Sequence, residues 1–438
     1  MKKLKFTSIL MLCCSILLAQ QTPAPKQIKD IAIVGATAHI GNGNIIENSI
    51  IIIKNGKIDT IGKSERPKLN DQDINVINAK GKHVYPGFIV PNSTLGLIEI
   101  DAVKASVDNA EIGALNPNIR SLIAYNAESK IVESMRPNGV LIGQITPRGG
   151  RISGTSSVVQ FDAWNWEDAA VRIDEGLHVN WPKSFSRGRW WLGEDPALKP
   201  NKDYDKQVTE LNNYFLQSHA YDKNANNHLP FKATKGVFND SKKLYMHVDY
   251  EKGILDAIAF AKKNNIKNMV IVGGREAYKA TSTLKINNIP VILQRVHSTP
   301  NSDDDDYDIS YKHAKLLVDQ DILVALETSG DMERMNTRNL PFHAGTTVAH
   351  GLSKEQALQL ITLNAAIILG IDAEYGSLTQ GKSATLFISE GDALDMRTNI
   401  LTHAFIDGRA VNLETHQTKL WKRYSKKYKE QNKLVSKP

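Results

Sequence analysis

The segment Met246-His247-Val248-Asp249 ends an apolar run with an imidazole and a carboxylate. A histidine at such a place can ligate a metal, touch a substrate or simply pack, and sequence alone leaves all three open. A second constellation is the glycine-rich stretch from Gly143 to Gln160, with Pro147-Arg148-Gly149-Gly150-Arg151 followed by Gly154-Thr155-Ser156-Ser157. Its backbone N–H groups and two guanidinium groups could cradle an anion. The same residues also suit a tight turn in which Arg148 and Arg151 pair with local acids. His297 and Glu276 are further candidates for binding or proton transfer. Thiol chemistry is excluded past residue 14, because the two cysteines are Cys13 and Cys14. The Asp303–Asp306 run lacks the glycine and the spaced glutamate of an EF-hand and reads as a solvated loop.

Several elements must position these groups. Ile50 to Ile53 is a β-branched run, Asn55-Gly56 is a favoured hairpin turn, and Lys57 to Ile61 is the returning strand. Further on, strands and helices alternate. Leu244 to Val248, Met269 to Val272, Pro290 to Leu293 and Ile322 to Leu326 read as strands. Lys252 to Asn265, Glu276 to Ile286 and Tyr307 to Val318 read as the helices between them. A helix from Ser353 to Leu369 is signed by a capping box at Ser353 and Gln356 and a stop at Gly370. Alternation of this kind calls for a parallel sheet covered by helices, and its length suits an eightfold barrel. The stretch from Asp162 to Asp240 is less regular and reads as barrel helices plus an insertion over one face, its tryptophans serving mainly as packing residues. Strands return after Tyr375, at Ala384 to Ser389 and Ala404 to Ile406. The expected fold is therefore α/β: a (β/α)8 TIM-like barrel with a small composite β-sandwich domain formed by both chain ends.

The ends carry their own signals. Lys2, Lys3 and Lys5 precede an apolar run from Phe6 to Leu18 that is too short to span a bilayer, and Ala19 offers a cleavage point. Residues 1–20 are thus expected to be a signal peptide and the protein periplasmic or extracellular. The net charge of +7 equals that of the tail from Lys419 to Pro438, which has eight Lys or Arg against Glu430. A solvated, partly helical end and an arm that touches an anionic surface both fit this tail. No aromatic-interleaved basic groove accompanies it, so no nucleic-acid partner is expected. The expected layout is 1–20 signal, 21–84 first part of the β module, 85–375 barrel, 376–418 second part of the β module, and 419–438 basic tail.

The motifs Asn55-Gly56-Lys57-Ile58, Ala79-Lys80-Gly81-Lys82 and Tyr85-Pro86-Gly87-Phe88-Ile89 resemble the entry to the amidohydrolase superfamily. Ala365 to Gly370, Gly376-Ser377-Leu378, Gly381-Lys382-Ser383-Ala384 and Asp407-Gly408-Arg409 resemble its closing segments. The likeness covers nearly all of the chain after residue 20 and is nearest to imidazolonepropionase-like members. It implies hydrolysis of non-peptide C–N bonds by a metal-activated water, with an aspartate handling the proton. Carried over position by position, the paired-histidine places read Asn92 and Thr94, the fifth-strand histidine is His247, the sixth-strand place is Gly273, and the catalytic aspartate place is Ser329. Asp331 stands two residues on, and Gln160 stands where some relatives carry a lysine.

The resemblance therefore implies a divalent metal, zinc in the family, that this ligand set does not support. Three functional expectations follow. One is a non-catalytic homologue that binds a small molecule or peptide or supports a paralogous amidohydrolase subunit. Another is an active hydrolase on cyclic amides or related C–N substrates with a rearranged site, in which Asp331 and His247 are catalytic and Arg148, Arg151, Asp249 and His297 bind substrate. The third is a plain envelope or scaffold protein whose tail meets a charged surface.

Overall fold

The computed structural model describes residues 22–64, 74–195, 197–221, 227–300, 304–330 and 332–435. The expected signal peptide and Asp331 lie outside the described residues.

The chain opens with β1 (Asp30–His39), β2 (Ile45–Lys54), β3 (Lys57–Lys63), β4 (Ile74–Asn78) and β5 (His83–Pro86). Asn55 and Gly56 take positive φ values of 49° and 80°, which lets Lys54 pair directly with Lys57 across the tight turn. The barrel strands follow: β6 (Phe88–Ser93), β7 (Val140–Ile145), β8 (Ile152–Gln160) and β9 (Ala170–Asn180). A small hairpin, β10 (Phe185–Arg187) and β11 (Leu198–Pro200), precedes β12 (Lys243–Val248), β13 (Met269–Gly273), β14 (Val291–Leu293) and β15 (Val324–Leu326). The chain then returns to the first module with β16 (Leu386–Ser389), β17 (Leu401–Ile406) and β18 (Arg409–Ala410). β16 pairs antiparallel with β5, so both ends of the chain build one sheet in the order β18-β17-β16-β5-β1-β2-β3. Its core of Ile33, Ile51, Ile53, Ile58, Leu386 and Phe405 is separate from that of the barrel.

The second sheet runs β6 to β15 through eight strands in chain order. β8 is reversed relative to both neighbours, whereas simple alternation predicts parallel strands throughout. The short glycine-rich turn explains this: six residues separate β7 from β8, too few for a crossover helix.

The helix expected from Ser353 to Leu369 is two helices, Lys354–Gln359 and Leu363–Leu369. The capping box at Ser353 and Gln356 and the left-handed stop at Gly370 (φ 69°) are both present. The break arises because the chain between the helices serves the barrel. The Leu360 carbonyl accepts from Leu326 N at 3.2 Å, and the Ile361 carbonyl accepts from Ile89 N at 2.8 Å, which joins the last barrel strand to the first. The second helix packs Ala365, Ile368 and Leu369 against inward-facing Ile89, Ile142, Val270 and Ile292. Lys243, the first residue of β12, donates to the Ile367 carbonyl at 2.9 Å. The strand starts are thus plugged, and the strand ends are left for a site.

Candidate functional site

At the strand ends lies a cavity of about 300 Å³ whose lining includes Asn92, His247, Asp249, Arg295 and Glu327. Its two sides differ. On the β6 and β15 side, Asn92 closes the first barrel strand in a left-handed conformation (φ 51°) that asparagine tolerates better than most residues. All of its polar groups are engaged. Its N–H donates to Gln144 Oε1 at 2.8 Å and its Nδ2 donates to Glu327 Oε2. Its Oδ1 and main-chain oxygen accept from the Arg148 guanidinium at 2.7 and 2.8 Å. Arg148 also reaches Glu333 Oε2 at 3.3 Å. Thr94 donates to Glu333 Oε1 from both its N–H (2.7 Å) and its Oγ1 (3.1 Å).

Glu327 is fully buried, and burial pushes its carboxyl up to about 7 despite bonds from Ser329 and Asn92 and the charge of Arg148. Ser329 Oγ donates to Glu327 Oε1 at 2.6 Å. A buried carboxyl titrating near neutrality can hold or give up a proton at working pH.

The β12 and β13 side is organised by His247. Its Nε2 lies 2.8 Å from His178 Nδ1, and His178 Nε2 lies 2.8 Å from Ser156 Oγ. Ser156 donates to Glu175 Oε1 at 2.5 Å, joined by Gln144 Nε2 at 2.6 Å, while Tyr245 donates to Glu175 Oε2 at 2.8 Å. With its own proton directed at Glu175, Ser156 accepts from His178 Nε2–H. His178 Nδ1 is then an acceptor, and His247 Nε2–H donates to it. Burial, followed by the Arg148 charge, pushes the His247 imidazole down to about 3, so it is neutral. Asp249 is raised by burial, opposed by Arg275, whose Nε lies 3.6 Å from the carboxylate. A Cβ at Gly273, whose φ is 92°, would meet Asp249 Oδ1 at 2.6 Å. The aspartate thus fills the space of a side chain at position 273.

The candidates from sequence divide accordingly. His247 and Asp249 line the cavity, and Arg148 braces its floor through Asn92. Arg151 faces a different recess beside Glu210 and donates to the Asn180 carbonyl at 2.9 Å. His297 bonds Thr346 at 2.7 Å, sets its ring at a tilt 4.1 Å from that of His343 and lines a recess of its own. Glu276 accepts from Glu251 N at 2.8 Å and lines an adjoining cavity. Trp181 is buried and donates to Tyr204, as a packing tryptophan should, but Trp164 and Trp191 are exposed.

Sequence reasoning missed Glu327, Glu333, Glu175 and His178. The available signal was a polar residue within an apolar strand, as in Gly176-Leu177-His178-Val179, but the irregular stretch around it masked that strand. Among the described residues no group of three or more His, Cys, Asp or Glu side chains is gathered as a metal site.

Comparison with known proteins agrees with this architecture. The chain is 23% identical over 392 residues to the imidazolonepropionase of Caldanaerobacter subterraneus, covering 80% of this chain and 86% of that one. It is 20% identical over 411 residues to the imidazolonepropionase of Flavobacterium johnsoniae, covering 84% and 92%. Among solved structures, an amidohydrolase from Thermotoga maritima shares the fold with a TM-score of 0.75 at 23% identity, over 87% of this chain and 99% of that one. The sequence profile of the Amidohydrolase family matches residues 193–415, just over half of the chain. The protein with the Arg148-braced barrel mouth belongs to the amidohydrolase family.

Proposed function

We propose that this amidohydrolase-family protein uses its barrel mouth to bind a small anionic molecule and does not run the family's metal-activated hydrolysis there. The observation that carries the reading is the Arg148 guanidinium bonded to Asn92 Oδ1. Asn92 and Thr94 hold the places that the family resemblance assigns to paired histidines, and both are already committed to protein partners. Gly273 offers no donor, and His247 turns its Nε2 to His178. A zinc site needs several strong, correctly placed ligands, and a fixed positive charge beside them disfavours a cation. The donor set therefore does not fit zinc. Lys183, Arg275 and Arg295 line the cavity against the acids Asp249 and Glu327, which favours a carboxylate or similar anion.

Export through residues 1–20, and a supporting role beside a paralogous amidohydrolase subunit, belong to the same reading. They are tested by locating the protein in cell fractions and by identifying what co-purifies with it. A second reading rests on Glu327. A carboxyl held near 7 suits proton transfer, and the imidazolonepropionase relatives favour a cyclic amide as its substrate.

Metal analysis of the purified protein, with a cyclic-amide and dipeptide hydrolysis screen and calorimetric titration of small carboxylates, separates the readings. The expected result is no stoichiometric zinc, no turnover, and carboxylate binding that Arg275→Ala weakens about tenfold. Tight stoichiometric zinc, lost together with hydrolase activity in His247→Ala, would sink the proposal. Metal-free turnover abolished by Glu327→Gln would establish the second reading in its place.

A further inference from the structure

The C-terminal helix, His416–Val435, is tied to the barrel at its start, where His416 N donates to Glu133 Oε1 at 2.5 Å. Beyond this anchor its aromatic residues are exposed: Trp421 at 68%, Tyr424 at 47% and Tyr428 at 56%. At about 100° per residue these three fall within about 60° of one another on the helix circumference. Lys419 and Lys426 lie opposite the aromatic stripe, Arg423 and Lys427 lie towards its Tyr424 edge, and Lys422 and Lys429 lie towards its Trp421 edge. The flanking cations already rest on the rings, with Arg423 Cζ 5.1 Å from the Tyr424 centroid and Lys427 Nζ 5.6 Å from that of Tyr428. The helix carries seven Lys or Arg against Glu430 alone.

We propose that this helix docks the protein on an anionic phospholipid surface, with the aromatic stripe in the interfacial layer and the basic side chains reaching headgroup phosphates. Three features select this occupant. Tryptophan and tyrosine prefer the region where an apolar body and a polar tip are both satisfied. Long basic side chains flanking such a stripe bury their stems and keep their charges at the headgroups. A second copy of the helix would bring like charge against like charge, whereas an anionic bilayer complements it. The contact is peripheral, since no helix among the described residues is long and apolar enough to cross a membrane. It is also independent of what the barrel mouth binds.

Co-sedimentation of the full chain with phosphatidylcholine vesicles, with and without phosphatidylglycerol, tests the proposal. Every sample carries residues 1–21, so their apolar run contributes equally. Binding is expected to be at least about tenfold tighter with phosphatidylglycerol and to weaken steeply with salt. Trp421→Ala/Tyr424→Ala/Tyr428→Ala should weaken it about fivefold or more without moving the thermal midpoint, and Tyr424→Phe/Tyr428→Phe should retain it. Lys422→Gln/Arg423→Gln/Lys426→Gln/Lys427→Gln should remove the lipid preference. Equal binding to both vesicles, wild-type binding by the aromatic triple variant, or capture by an acidic protein without vesicle binding would each overturn it.

Discussion

The two sides of the barrel mouth solve different problems. On the β6 and β15 side, Asn92, Thr94, Arg148, Glu327 and Glu333 satisfy one another, and little bonding capacity is left for a ligand. On the β12 and β13 side, a neutral His247 and a raised Asp249 face open cavity beside Arg275 and Lys183. A closed polar knot is a structural device, because each buried group in it depends on its partners. An open wall of adjustable charges is a recognition device. Within one family fold, the same strand ends thus serve as scaffold on one side and, on the function proposed above, as binding surface on the other.

The contrast is broken most severely at Arg148. Arg148→Ala would leave Asn92 Oδ1 and Glu333 short of a buried partner, and a loss of about 3–4 kcal/mol is expected in denaturant unfolding. A loss below about 1 kcal/mol would mean the knot is not a scaffold.

Glu327 gives the next largest effect, through pH. Burial raises its carboxyl from 4.5 to about 7, so between those values the folded protein keeps a proton that the unfolded chain has released. Its contribution is therefore fully present below about pH 4.5, is lost as pH rises through about 7, and is level above that. The expected span is on the order of 3 kcal/mol, and Glu327→Gln should flatten that part of a stability-versus-pH curve. A wild-type curve with no slope in that window would refute the assignment.

On the other side, Gly273→Ala should cost about 2 kcal/mol, partly from the positive φ and partly from contact with Asp249. In an Asp249→Ala background only the backbone part, about 1 kcal/mol, should remain, so a double-mutant cycle reads the coupling directly. The smallest effect belongs to Lys183→Ala at the exposed rim. It should change stability by less than about 0.5 kcal/mol while weakening anion binding.

Local signals were the legible ones. The Asn55-Gly56 turn, the Ser353/Gln356 capping box and the Gly370 stop each depend on residues within a few positions of one another. The strands from β12 to β15 were readable for the same reason, since their apolar runs are bounded by turns. The fold class and the family followed from such pieces. The knot was not legible, because it joins Asn92, Arg148 and Glu327 across long stretches of chain and its chemistry exists only once strand order brings them together. Nor did the helix break at residues 360–362 have a local signature. It is imposed by barrel strands that need two carbonyls.

That break gives the ring of strands a seam unlike its other joints. Elsewhere in the ring, neighbouring strands pair over three or more residues, but β15 and β6 are bridged through the two carbonyls of Leu360 and Ile361. The amide protons of Leu326 and Ile89 are therefore sentinels of closure. If the ring breathes, they should exchange with solvent sooner than the Ile271 and Val291 amides, which bond directly from one strand to the chain of the next.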